Sequence, residues 1–165
     1  MDIQELVRAQ RAYFLSGATR PYAFRMEQLK KLQQALRSNE ALLEQAMYQD
    51  FRKAPMEVYM CETGMVLEEL RFHLKHLKGW MRERAVPTPL AQFPARSFIR
   101  HDPMGVVLIM SPWNYPFLLT IEPLLGALAG GNCCILKPSK DAPATSAIIR
   151  QICAECFPLE EVAVV

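Results

Sequence analysis

Asn114 stands within Ser111-Pro-Trp-Asn-Tyr-Pro-Phe117, between the apolar run Gly105-Val-Val-Leu-Ile-Met110 and a second apolar segment, residues 118–129. The first run reads as a strand buried on both faces of a parallel sheet. The second reads as a helix. The carboxamide therefore belongs to a strand-to-helix junction, fenced by Pro112 and Pro116. In open α/β sheets such junctions are where ligands bind. A carboxamide held there by stiff neighbours can donate a hydrogen bond to a developing oxyanion. A neutral donor suits that task, because aspartate would repel the oxyanion and lysine would compete as a charge and a nucleophile. An asparagine is also what a tight turn tolerates, so residue type alone leaves both readings open.

Lys137 is the second candidate. It ends the apolar run Cys133-Cys-Ile-Leu136 and precedes Pro138 and Ser139. A lysine at a strand end is commonly just solvated. At the C-terminal edge of a parallel sheet it also faces the crevice where a dinucleotide ribose lies. Tyr115 and Leu119 are four residues apart and share a face if the helix starts at Pro116. An aromatic and an aliphatic wall suit an apolar substrate, and core packing is an equal reading for Leu119.

The remaining reactive side chains make weaker patterns. Five cysteines, an odd number without a secretory leader, read as reduced cytosolic thiols. Cys153 and Cys156 have the C-x-x-C spacing, but they sit near the end of a helical pattern without a second pair. A structural role is expected over a redox one. His73 and His76 are i, i+3 with no apparent carboxylate or cysteine partner, so no metal site is expected. Glu68 and Glu69 read as a solvated helix face, and Gly130-Gly131 as a helix stop. Neither G-x-G-x-x-G nor G-x-x-x-x-G-K occurs.

The elements that must position these residues follow from periodicity. Residues 1–80 read as helices, the first capped by Asp2, with Ile3, Leu6, Val7 and Gln10 at helical spacing. A second runs over residues 22–37, marked by Phe24, Leu29, Leu32 and Leu36, and a third from Ser38-Asn39 to about Asp50. Residues 56–80 read as one long amphipathic helix carrying Val58, Cys61, Met65, Leu67, Leu70, Leu74 and Leu77. Residues 84–90, with Pro87 and Pro89, read as a linker, and residues 97–101 as a short strand. Strand 106–110, helix 118–129, strand 133–136, helix 144–156 and a strand from Glu161 complete a βαβαβ unit.

Composition excludes several classes. The chain has 165 residues, 51% hydrophobic and 22% charged, with a net charge of +2. That profile is globular rather than disordered, and no basic run interleaved with aromatics suggests nucleic acid. The N-terminus lacks a secretory core. The longest apolar stretch, residues 117–129, is broken by Glu122 and Pro123, so no membrane segment is expected in this chain.

The motifs Ser111-Pro-Trp-Asn-Tyr-Pro-Phe117, Gly126-Ala-Leu-Ala-Gly-Gly-Asn132 and Leu136-Lys-Pro-Ser139 together resemble the aldehyde dehydrogenase superfamily. Ala85-Val-Pro-Thr-Pro-Leu90 narrows the resemblance to a class-3-like member. It extends over nearly the whole chain and implies an α/β fold. An N-terminal helical region, residues 1–84, would precede a partial NAD(P)-binding domain, residues 85–165. That part would be the first βαβαβ half of a Rossmann-like doubly wound parallel sheet, incomplete at the C-terminus. It implies oxidation of an aldehyde to a carboxylic acid with NAD or NADP, a cysteine thiolate as nucleophile and a glutamate-activated water. The catalytic role that falls within this sequence is Asn114, as donor to the oxyanion of the thiohemiacetal. Ser111, Pro112, Trp113, Lys137, Ser139 and Lys140 would line the cofactor groove, with Lys137 on the ribose hydroxyls. Tyr115 and Leu119 would line the substrate channel.

Lys140 departs from the many relatives that carry glutamate there; it would attract a 2′-phosphate, which implies dual or NADP-leaning use. The family's glycine loop, nucleophile and general base lie beyond Val165, and none of Cys61, Cys133, Cys134, Cys153 or Cys156 lies in the nucleophile's motif. The expectation is a cytoplasmic fragment, inactive alone, of an enzyme that is a homo-oligomer when full length. Residues 162–165 would form an open apolar edge. The alternatives are a non-catalytic remnant that pairs with another subunit, and a small redox protein using Cys153 and Cys156.

Overall fold

The chain enters its first helix, α1 (Ile3–Leu15), at Asp2, whose backbone N–H donates to Glu5 Oε2 at 3.2 Å, half of a capping box. The computed structural model describes residues 2–165; Met1, where the expected helical region starts, lies outside the described residues. Helices α2 (Tyr22–Ser38) and α3 (Glu40–Phe51) follow, close to the spans their apolar spacing predicts. Leu29, Leu32 and Leu36 of α2 are buried, as are Leu43 and Met47 of α3.

The expected single helix over residues 56–80 is three pieces. A short α4 (Pro55–Val58) leads into a π turn (Tyr59–Thr63) and then α5 (Gly64–Trp80). Besides Thr63, the buried residues form the series Val58, Glu62, Val66, Leu70, His73 and Leu77. The first three steps in that series are four residues each, and each overruns the 3.6-residue turn by about 0.4 residue. The π turn absorbs the excess, with the Gly64 N–H bonding back five residues to the Tyr59 carbonyl. A Cβ on Gly64 would lie 2.5 Å from that oxygen. Met65, expected in the core, is consequently 48% exposed, and Val66 takes its place.

The expected linker is partly a strand. β1 (Arg84–Val86) pairs antiparallel with β2 (Ser97–Ile99) in a two-stranded ribbon. The prolines at 87 and 89 fall just outside the paired residues, where no ladder hydrogen bond is lost.

The βαβαβ unit is present as expected: β3 (Val106–Met110), α6 (Leu118–Gly130), β4 (Cys133–Lys137), α7 (Pro143–Cys156) and β5 (Val162–Val164). The three strands are parallel in the order β3-β4-β5. Both crossover helices lie on one face, and α2, α3 and α5 pack over them in one continuous hydrophobic core. Among the described residues the other face carries only α1, through Leu6 and Val7 against Ile135, Ala163 and Val106.

This asymmetry corrects one expectation. The central strand β4 is buried, but among the described residues β3 is an edge strand, and Leu108 is 58% and Met110 71% exposed. An apolar run predicts two covered faces; here α1 covers only the lower part of one. A groove of about 590 Å³ runs between α1 and β3, lined by Val7, Phe14, Met104, Leu108, Ile135 and Lys137 among others.

Candidate functional site

Two strand-to-helix turns leave the C-terminal edge of the sheet side by side. Register fixes their proximity, since Met110 at the end of β3 pairs with Lys137 at the end of β4. The backbone N–H of Ser111 then donates to the Lys137 carbonyl at 3.2 Å. The residues that the spacing singled out are thus brought to one edge.

The first turn holds Asn114. Ser111 is buried, and its hydroxyl lies 2.6 Å from Thr120 Oγ1. Thr120 in turn donates to the Pro116 carbonyl at 2.6 Å, so Ser111 is the donor of the first bond. What Ser111 can offer a ligand is its backbone. Pro112, Trp113, Asn114 and Tyr115 are exposed, while Pro116 and Phe117 are buried. Tyr115 has φ +53°, a left-handed conformation that costs an L-residue about 1–2 kcal/mol. Its carbonyl accepts from Leu119 N–H at 3.0 Å, and Leu119 itself is half-buried.

The start of α6 is held from outside the sheet. Glu62, fully buried on the π turn, accepts from the Phe117 N–H and the Leu118 N–H, both to Oε2 at 3.0 Å. Its other oxygen pairs with Lys53 Nζ, which also stands 4.9 Å from the centre of the Tyr115 ring. Neither Glu62 nor Lys53 belongs to a motif that the sequence singles out. A signal was available: Glu62 lies midway between Val58 and Val66, an acid in the middle of an apolar stripe.

The second turn holds Lys137 and Lys140, both exposed. Ser139 is half-buried; its hydroxyl accepts from Asp141 N–H at 3.2 Å, and its carbonyl accepts from Ser146 Oγ at 3.0 Å. α7 begins at Pro143, which has no N–H to leave unpaired. The next two amides, of Ala144 and Thr145, donate to the Asp50 carboxylate at 3.1 and 2.8 Å, and the Thr145 hydroxyl adds a third bond at 2.8 Å. A helix N-terminus is ordinarily a ready anion site. Here each crossover helix already has a carboxylate on its first amides, Glu62 on α6 and Asp50 on α7, so a phosphate finds neither start free.

Four of the five cysteines are held as thiols, not poised for nucleophilic work. Burial pushes the Cys133 and Cys156 thiols up to about 11 and that of Cys153 to about 12, and it raises Cys134 as well. A redox dithiol at Cys153 and Cys156 would need the opposite shift. His73 is buried and pairs with Glu69 at 3.2 Å, and His76 Nδ1 lies 2.8 Å from the Phe72 carbonyl oxygen. Glu68 pairs with Arg71 on the surface. Gly131 ends α6 at φ +82°, as the double glycine predicts. Arg25, buried against it, donates to the Ala129 carbonyl at 3.0 Å, a cation at the negative helix end. No helix among the described residues is long and apolar enough to cross a membrane.

The aldehyde dehydrogenase family model matches residues 1–165. The chain belongs to the aldehyde dehydrogenase family. It is similar to the 4,4'-diaponeurosporen-aldehyde dehydrogenase of Staphylococcus aureus, 41% identical over 155 residues, which are 94% of this chain and 34% of that protein. It is also similar to human aldehyde dehydrogenase family 3 member B1, 42% identical over 154 residues, 93% of this chain and 32% of that one. The class-3-like resemblance is borne out by these relatives. Among solved structures, the substrate-bound state of Staphylococcus aureus AldH superimposes with a TM-score of 0.96 at 39% identity, covering all of this chain and 36% of that one. The chain spans about a third of the length of the curated relatives it matches, and corresponds to the family's N-terminal segment.

Proposed function

We propose that this chain is the N-terminal part of an NAD(P)-dependent aldehyde dehydrogenase, supplying one oxyanion donor and the first wall of the cofactor groove. The observation that carries this reading is the pairing of the two turns at one sheet edge, Ser111 N–H on the Lys137 carbonyl. Asn114 is exposed on one turn and Lys137 on the other. The residues suit the cofactor's chemistry: cations at 137 and 140, beside the partly open apolar face of Leu108 and Ile135, fit a ribose with an apolar base.

The chemistry that NAD(P) would supply when bound is that of a hydride acceptor for the aldehyde carbon. Within that reaction Asn114 Nδ2 donates to the oxygen on which negative charge develops, and Trp113 and Pro112 contribute backbone and ring contacts along the groove. Lys137 donates to the ribose hydroxyls and Ser139 lines the same wall. Lys140 attracts a 2′-phosphate, giving dual or NADP-leaning use. Tyr115 and Leu119 form part of the aldehyde channel. Residues 1–84 are assigned as the helical region and residues 85–165 as the beginning of the NAD(P)-binding domain. Five free thiols are in keeping with the reducing cytoplasm, and we assign a homo-oligomer to the full-length enzyme.

The test has two arms. The purified 165-residue chain should show no NAD(P)-dependent oxidation of medium-chain or aromatic aldehydes. In the complete enzyme, Lys137→Met should raise the cofactor Kd about tenfold, the effect of losing one charge-assisted hydrogen bond. Cofactor affinity unchanged by that substitution would remove Lys137 from the groove.

A further inference from the structure

The Asn114 turn is pinned at its beginning by the sheet and at its end by a different part of the molecule. Ser111 is tied to β4 and to Thr120, both neighbours in the βαβ unit. Phe117 and Leu118 are tied to Glu62, 55 and 56 residues away in sequence. Between these two anchors the four residues 112–115 are exposed. Glu62 is 0% exposed, and burial of a carboxylate is costly unless it is paired and fully hydrogen-bonded. Two amides and Lys53 meet that need. Lys53 adds a second grip, since its ammonium stands over the ring of Tyr115, the residue directly after Asn114, held left-handed at φ +53°.

A plain helix cap would not require this. Serine or aspartate within the turn itself is the ordinary solution. Here the cap comes from a π turn whose geometry depends on Gly64, and π turns inside helices recur at functional sites.

We infer that Glu62, with Lys53, is the positioning pair for Asn114: it fixes the 112–115 segment so that the carboxamide is held where the oxyanion forms. This rests on the reading of Asn114 as the oxyanion donor. Glu62 acts through Asn114 and touches neither aldehyde nor cofactor. A donor misplaced by an ångström loses most of its effect on the transition state while leaving cofactor binding intact.

The experiment is a double-mutant cycle in the complete enzyme with NAD(P). Glu62→Gln keeps an oxygen for the two amides but presents an amide NH2 to Lys53, so the hold on Tyr115 is lost while the helix stays capped. The expected result in the folded variant is a fall in kcat of about tenfold and a cofactor KM within about twofold, beside a lowered Tm, because the largely buried Lys53 loses its counter-charge. In an Asn114→Ala background, followed by single-turnover measurement, the same change should cost almost nothing further, because a residue that acts through another is strongly non-additive with it.

A full additional tenfold loss in that background overturns the inference, as does a loss expressed in cofactor KM alone. Normal turnover in Glu62→Gln beside a crippled Asn114→Ala overturns this inference and spares the oxyanion reading. Normal turnover in Asn114→Ala overturns both. Should Glu62→Gln fail to fold, Lys53→Gln keeps the Glu62 carboxylate on its two amides and removes the cation from both that carboxylate and the Tyr115 ring. It should lower kcat severalfold in the parent and not in Asn114→Ala, and parental turnover would again overturn the inference.

Discussion

The turn after β3 and the turn after β4 leave the same edge of the same sheet, and the helix after each has its first amides taken by a carboxylate from the N-terminal helices. Glu62 does this for α6 and Asp50 for α7. Their settings differ. Glu62 is fully buried and needs Lys53 to balance its charge, whereas Asp50 is half-buried at the end of α3 and also takes the Thr145 hydroxyl. The first turn carries a left-handed tyrosine and an ammonium over its ring; the second is held by Ser139 bonding locally to Asp141 and Ser146. A tightly fixed turn suits a group that must meet charge appearing at one atom. A locally held turn with two exposed lysines suits contact with a bulky ligand that is already charged.

The largest expected effect separates the two turns by kinetic parameter. In the complete enzyme Asn114→Ala should lower kcat by about 10²–10³, the usual cost of one oxyanion donor, with little change in cofactor KM. Equal loss in both parameters would erase the distinction between a chemical turn and a binding turn.

A third acid gives the comparison its control. Glu161, just before β5, is buried, and its Oε1 has no hydrogen-bond partner among the described residues. Burial and the nearby Glu27 raise its pKa from 4.5 to about 7, against the lowering influence of Lys31. The native state therefore holds a proton that the unfolded chain releases between those values. Stability is fully kept below about pH 4.5 and falls as pH rises to about 7, by about 3 kcal/mol in all. Thermal melts of Glu161→Gln should lose this slope and exceed the parent at pH 8. A parental slope in the variant would assign it to another group.

Removing the partly exposed cap should cost less than that. Asp50→Ala leaves two amides of α7 without an acceptor and should destabilise the protein by about 2 kcal/mol, read from urea midpoints, with kcat/KM for aldehyde unchanged in the folded enzyme. A selective loss of kcat would make the second turn as demanding as the first. The smallest effect tests Lys140. Lys140→Glu should shift the ratio of kcat/KM for NADP over NAD severalfold toward NAD, as a carboxylate repels the 2′-phosphate. An unmoved ratio would leave Lys140 as a solvated side chain.

Periodicity over residues 106–164 was enough for the order of strands and helices, because buried parallel strands and their crossover helices carry strong local patterns. The motif residues also announced the family, and with it the interest of Asn114 and Lys137. Three features were decided only in three dimensions. The exposure of Leu108 and Met110 depends on which neighbours a strand acquires, and an apolar run cannot state that it lies at an edge. β1 was hidden just ahead of two prolines because three residues pair as a strand only when β2 is brought alongside. Glu62 drew no notice in the sequence, since its value lies in two amides more than fifty residues away. Local sequence determines the elements through short-range sterics and burial preference. Which distant carboxylate completes which helix, and so which turn is held rigid, is decided by packing.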